Sequence, residues 1–160
     1  MIPIPPPETR VTEIADIIQS VLAPVFLLAG IGGFLNVLTG RLARMVDRAR
    51  NIEPKLLKSR ASEHDRLLRE LRLIDRRMAL VGRAIWLTVL AALLICFVVI
   101  LLFAGTLVSG HFGRAIAVLF MLCMLFLGSG FAFFLVETRI GARAVRIRNA
   151  LLEHEAEERD

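Results

Sequence analysis

Three stretches of the chain are apolar at nearly every position, and the segments beside them mix apolar and charged residues at helical spacing. Residues 17–40 carry only Gln19, Ser20, Asn36 and Thr39 as clearly polar side chains. Residues 84–109 hold no ionisable group except Cys96, and residues 115–136 hold no Asp, Glu, Lys, Arg or His. An α-helix needs roughly 20 apolar residues to cross about 30 Å of hydrocarbon. Backbone groups in lipid must bond within their own segment, so each stretch is predicted to be a transmembrane helix.

The flanking segments continue these helices. Leu42, Met45, Ala49 and Ile52 recur at spacings of 3, 4 and 3, with Arg41, Arg44 and Arg48 on the opposite face. This stripe predicts that the first helix runs on until Pro54, which disfavours helix at the residue before it. Leu67, Leu71, Ile74, Met78, Val81 and Ile85 form a longer stripe that leads into the second span, behind a start marked by Ser62 and Asp65. Val136, Ile140, Ala144, Ile147 and Leu151 continue the third. At 1.5 Å per residue a second helix over residues 63–109 is about 70 Å long, roughly twice the hydrocarbon thickness. The fold class is therefore all-α and integral to a membrane: three long transmembrane helices extended into a cytoplasmic helical bundle. Pro3, Pro5, Pro6 and Pro7 predict an extended start, and Pro24 predicts a kink in the first span.

Charge sets the expected orientation. The 160 residues are 56% hydrophobic, against about 45–50% in soluble domains, and carry a net charge of +5. Lys and Arg number one in residues 1–16, thirteen in the link 41–83, one in the turn 110–114 and five in the tail 137–160. Three spans put the link and the tail on one side, so both are assigned to the cytoplasm and the N-terminus to the outside. Glu8, Glu13 and Asp16 stand against Arg10 before the first span, unlike the positive start of a secretory signal. Trp86 suits an interfacial anchor at the cytoplasmic side.

The runs IGGFLNVLTGRLARMVDRAR (residues 31–50), RRMALVGRAIW (76–86) and FFLVETRIGARAV (133–145) resemble an uncharacterised bacterial membrane family, domain of unknown function 2721. The resemblance covers nearly the whole chain except its proline-rich start and acidic end. Its most specific element joins Asn36, Arg41, Arg44, Asp47, Arg48 and Arg50. It implies a small inner-membrane protein and brings no catalytic residue with it.

The candidate chemistry is that of binding and assembly. Arg41, Arg44, Arg48 and Arg50 form a basic collar suited to anionic lipid or a protein partner. They also serve as the positive-inside signal, with local pairs such as Arg44 with Asp47. No aromatic residue interleaves with them to stack bases, so nucleic acid is not an expected partner. Glu137 directly follows the third span, at the depth where Arg41 and Arg83 end the other two. A carboxylate there is expected to pair with Arg41, Arg83 or an arginine of a neighbouring subunit. Gln19, Ser20, Asn36 and Thr39 are candidates for a pore lining or for interhelical hydrogen bonds, and the hydrogen bond is the expected reading. Ala29, Gly30 and Gly33, with Gly128 and Ala132, have the spacing of close helix packing. Cys96 and Cys123 are expected at one mid-membrane depth as small packing residues. No catalytic motif, metal motif or cofactor fingerprint is present, and His64, His111 and His154 are scattered. The expected function is a non-catalytic scaffold or accessory subunit, homo-oligomeric and in contact with membrane lipids. The alternative is a homo-oligomeric ion channel lined by the first span.

Overall fold

A computed structural model describes the backbone of residues 7–60, 62–108 and 112–157, and the side chains of residues 18, 19, 21–60, 62–105 and 112–142. Its elements are three helices, α1 (Pro7–Lys58), α2 (Ser62–Val108) and α3 (Gly113–Glu157). No strand occurs among the described residues. All three helices are long and apolar enough to cross a membrane. The all-α class and the three spans predicted from the sequence are therefore those of the structure.

Local chemistry accounts for the ends. Pro7 opens α1, although the prolines predict an extended chain there. Its missing N–H costs nothing at a first helical position, and its fixed φ suits the helix. Pro3, Pro5 and Pro6 lie outside the described residues. α1 also passes Pro54 and ends four residues later, at Lys58. Its close is held by Ser59, whose N–H donates to the Lys55 carbonyl at 3.0 Å and whose hydroxyl donates to the Leu56 carbonyl at 2.9 Å. His64 Nδ1 lies 3.3 Å from both Ser59 Oγ and the Leu56 carbonyl. Lys55 and Lys58 in the last turn of α1, and Glu63 and Asp65 in the first turn of α2, each suit the helix dipole.

The chain divides into two compact units. The first comprises Met1–Leu35 and Thr88–Leu127. Its centre is Ile31, Ala91, Ile95, Cys123 and Leu127, with Leu27, Leu35, Leu94, Met124 and Phe126 packed around it. Small and weakly polar residues are sealed inside: Ala91, Thr88 and Cys123 are fully buried, whereas Phe26, Met121 and Leu125 are exposed. Lipid tails are as apolar as leucine, so size and close approach decide which face turns inward.

The second unit comprises Asn36–Leu87 and Gly128–Asp160. Leu38, Met45, Ala49 and Ile52 are buried on α1, and Ile74, Val81 and Ala84 on α2. The α1 stripe of Met45, Ala49 and Ile52 is thus an inward face. On α2 the predicted Ile74 and Val81 are buried, and the inward face departs from the predicted stripe only at its end; on α3 it departs at Val136, and Ala144, Ile147 and Leu151 lie outside the residues whose side chains are described. Ala84 is fully buried and Ile85 only partly; Glu137 is fully buried, while Val136 is 47% exposed. Beside a lipid-facing segment, apolar character no longer marks the inside.

The predicted packing residues are open within the chain. Ala29 and Ala132 are exposed, and a Cβ added at Gly30, Gly33 or Gly128 would meet nothing within 4 Å. Gly130, two residues beyond Gly128, is the buried one. The cysteines also separate. Cys96 is exposed, and the buried Cys123 thiol donates to the Ala91 carbonyl at 3.2 Å. Cys123 is therefore level with Ala91, about 7.5 Å along α2 from Cys96, the residue predicted to share its depth.

This packing predicts an inversion of the usual rule for apolar substitutions. Ala91→Leu should destabilise by about 1–3 kcal/mol through overpacking. Leu93→Ala, on the exposed face, should stay within about 0.5 kcal/mol of the parent. Thermal melts in one detergent compare them, and a larger loss from Leu93→Ala would contradict the packing.

Candidate functional site

The site begins with a charge in a position that packing reserves for an apolar residue. On α3, Gly130 and Glu137 are both buried and lie seven residues apart, two helical turns on one face. Arg41 follows buried Leu38 by three residues on α1. Arg77 lies between buried Ile74 and Val81 on α2. Both arginines are partly buried, with side chains 32% and 25% exposed, and both turn to the carboxylate.

The carboxylate is fully shared between them. Glu137 Oε2 accepts from Arg41 Nη1 at 2.9 Å. Oε1 accepts from Arg77 Nε at 3.0 Å and Nη2 at 2.7 Å. Thr138 secures the neighbouring turn by donating its hydroxyl to the Phe134 carbonyl at 2.9 Å, and its oxygen lies 3.4 Å from Arg41 Nη1. The Arg41 guanidinium sits 4.9 Å from the centroid of the Phe134 ring, within cation–π range. Gly141, one turn beyond Glu137, makes room for the second arginine: a Cβ there would come within 2.7 Å of Arg77 Nη2. That atom is the tip of a flexible side chain, but it holds one of the bonds to Glu137. Among the described residues, no buried side-chain nitrogen or oxygen lacks a partner.

Arg83, expected as a partner from its depth, is exposed and forms no ion pair among the described residues. Register explains the difference. Val81 and Ala84 face inward, and one step back in a 3–4 repeat reaches Arg77, whereas Arg83 falls between the buried positions. The long arginine stem spans the remaining rise.

Next to the clamp, Arg41, Arg44, Arg48 and Arg77 line a shallow, widely open cavity of about 360 Å³ with Met45 and Ile74. Arg48 donates through Nε at 3.1 Å and Nη2 at 2.6 Å to Glu70 Oε1. Arg44 is exposed and makes no ion pair among the described residues, so the expected pair with Asp47 does not form. Arg50 is exposed and does not line the cavity. Three of the four collar arginines therefore converge, joined by Arg77, which is not among the residues expected from the sequence. The inward register of α2 is the signal that identifies it. Of the polar residues of the first span, Gln19, Asn36 and Thr39 are exposed, and the Ser20 side chain lies outside those described. The Thr39 hydroxyl donates to the Asn36 carbonyl at 3.1 Å.

Three apolar helices joined to arginine-rich extensions define a small multi-pass membrane protein. Residues 21–147 of the 160 match the family described as Protein of unknown function (DUF2721), and the chain belongs to that family. No curated protein and no solved structure matches it.

Removing one member of a buried ion pair costs about 3–5 kcal/mol, far more than an exposed pair is worth. Glu137→Gln should therefore lower the detergent melting temperature well beyond the change from Glu70→Gln; equal changes would refute the clamp. Gly141→Ala should cost about 1–3 kcal/mol by displacing Arg77 from a charged partner. The loss should largely vanish in an Arg77→Ala background, and an undiminished loss would show that the alanine acts elsewhere.

Proposed function

We propose that this is a non-catalytic, three-pass protein of the bacterial inner membrane, a scaffold or accessory subunit that engages anionic lipid or a protein partner through its basic cytoplasmic helices. The observation that carries the reading is the convergence of Arg41, Arg44, Arg48 and Arg77 on one open cavity, with Arg44 left without an ion pair among the described residues. Basic residues near an anionic membrane surface each contribute roughly 1 kcal/mol of attraction. The count of Lys and Arg on either side of the spans supports an outward N-terminus and a cytoplasmic C-terminus.

A second reading, a homo-oligomeric channel lined by the first span, draws on Asn36. Its side chain is exposed on a helix that crosses the membrane, and an amide in hydrocarbon gains from a partner across a helix interface. Association of several copies through α1 offers such a partner and would place Asn36 at the contact or in a pore. A copy-to-copy contact of this kind is compatible with the scaffold role, so only conduction separates the two readings.

Extraction of the protein in polymer-bounded membrane discs tests the first reading. Anionic lipid should be enriched around the wild-type protein relative to the bulk membrane, and joint Arg44→Glu and Arg48→Glu substitution should abolish the enrichment while helicity is retained. Enrichment that survives charge reversal removes the lipid role, and a protein partner then has to be sought by crosslinking at the same positions. Mass measurement in the discs gives the subunit number. Ion flux through liposomes that is lost with Asn36→Leu would favour the channel over the scaffold.

A further inference from the structure

We propose that the cavity formed by Arg41, Arg44, Arg48 and Arg77 is a binding site for one phosphate-bearing anion. The proposal rests on the basic-helix reading above and gives it a defined site. Four arginines line the cavity, together with the apolar Met45 and Ile74. Two carboxylates touch those arginines, Glu137 on Arg41 and Arg77, and Glu70 on Arg48. Formal charge therefore leaves two positive charges around the space, and Arg44 has its whole guanidinium uncommitted to any acid among the described residues.

Donor geometry points the same way. A guanidinium carries five N–H donors. Arg77 gives Nε and Nη2 to Glu137, and Arg41 gives Nη1. Donors remain on Nη1 of Arg77 and on Nε and Nη2 of Arg41. Planar forks held in place, with donors to spare, match the tetrahedral oxygens of a phosphate. The widely open cavity of about 360 Å³ has room for a compact group approached from outside.

Depth favours a phosphate over a protein carboxylate. Arg41, Arg44 and Arg48 lie one, four and eight residues past the apolar stretch 17–40, or about 1.5, 6 and 12 Å along the helix. Arg77 precedes the stretch 84–109 by seven residues, about 10 Å. The headgroup layer on each face of a bilayer is about 5–8 Å thick, so these arginines bracket the level of lipid phosphates. A lipid headgroup and a free phosphate share the required chemistry, and the experiment has to tell them apart.

Native mass spectrometry of the full chain in neutral detergent is the test, with separate titrations of phosphatidylglycerol, phosphatidylcholine and inorganic phosphate. The wild-type protein should retain one phosphatidylglycerol per chain in preference to phosphatidylcholine. Arg44→Gln should weaken it about fivefold, the equivalent of about 1 kcal/mol. Arg50→Gln removes the same charge outside the cavity and should leave binding unchanged. Circular dichroism and melting temperature confirm that Arg44→Gln folds, and Arg44→Lys, which keeps the charge without the fork, should fall between the two. Inorganic phosphate that binds with the same dependence on Arg44 and displaces the lipid assigns the site to a soluble phosphate; retained lipid with no effect of phosphate assigns it to a headgroup. Equal losses from Arg44→Gln and Arg50→Gln would overturn the cavity while leaving the basic-helix reading intact. Wild-type protein that binds neither phosphate nor phosphatidylglycerol over phosphatidylcholine would overturn the cavity and the lipid role together.

Discussion

A fully buried carboxylate held by two guanidiniums is the constraint on which the arginine-rich unit depends. Glu137 has no contact with solvent, so its charge has to be met from within the protein. One arginine from α1 and one from α2 meet it, and each brings its own helix into a fixed register with α3. Apolar seams tolerate sliding by a turn, because one leucine resembles the next. A carboxylate with three short bonds to two helices does not. Desolvation offsets much of the attraction in such a pair, so its main effect here is to specify one alignment. Phe134, Thr138 and Gly141, all within four residues of Glu137, supply the ring, the hydroxyl and the empty space that the two arginines require.

The other unit is specified by different means. It contains no ion pair among its described residues, and its inner face is built from Ala91, Thr88 and Cys123, with Ile31, Ile95 and Leu127. Phenylalanines 26, 97 and 103 point away from it. In water that arrangement would be inverted. In lipid it is stable because the large side chains lose nothing on the outside, while small ones inside let helices approach to van der Waals contact. Thr88 and Cys123 add hydrogen-bonding groups where no water competes.

The same physics decides how much could be read from the chain. Three helices, their number and approximate limits were legible, because twenty consecutive apolar residues have few other uses. Glu137 and Arg41 stood out as charges placed at the rim of spans. Arg77 did not, because this charged residue interrupts no apolar row, and the inward row of α2 passes through Arg77, Val81, Ala84 and Thr88. Val136 was read as inward and Glu137 as its charged neighbour; the structure exchanges them. The glycine pairs do not mark the contacts within the chain, for a related reason. Small residues permit close approach without requiring it, so Gly30, Gly33 and Gly128 remain open while Gly130 is covered.

The clamp and the proposed anion site are connected through the arginines they share. Arginine loses considerable rotamer freedom when it binds a ligand, and that loss weakens affinity. Arg41 and Arg77 are already held by buried Glu137, so two of the four arginines around the cavity are ordered before any ligand arrives, while the exposed bridge to Glu70 restrains Arg48 far less. The residue that stabilises the fold therefore also prepares the cavity. It sets a limit as well: one buried carboxylate cancels only one of the two charges brought to it. A second acid at the Gly141 position would complete the neutralisation but would occupy the space that Arg77 fills. The geometry thus retains positive charge at this level of the helices.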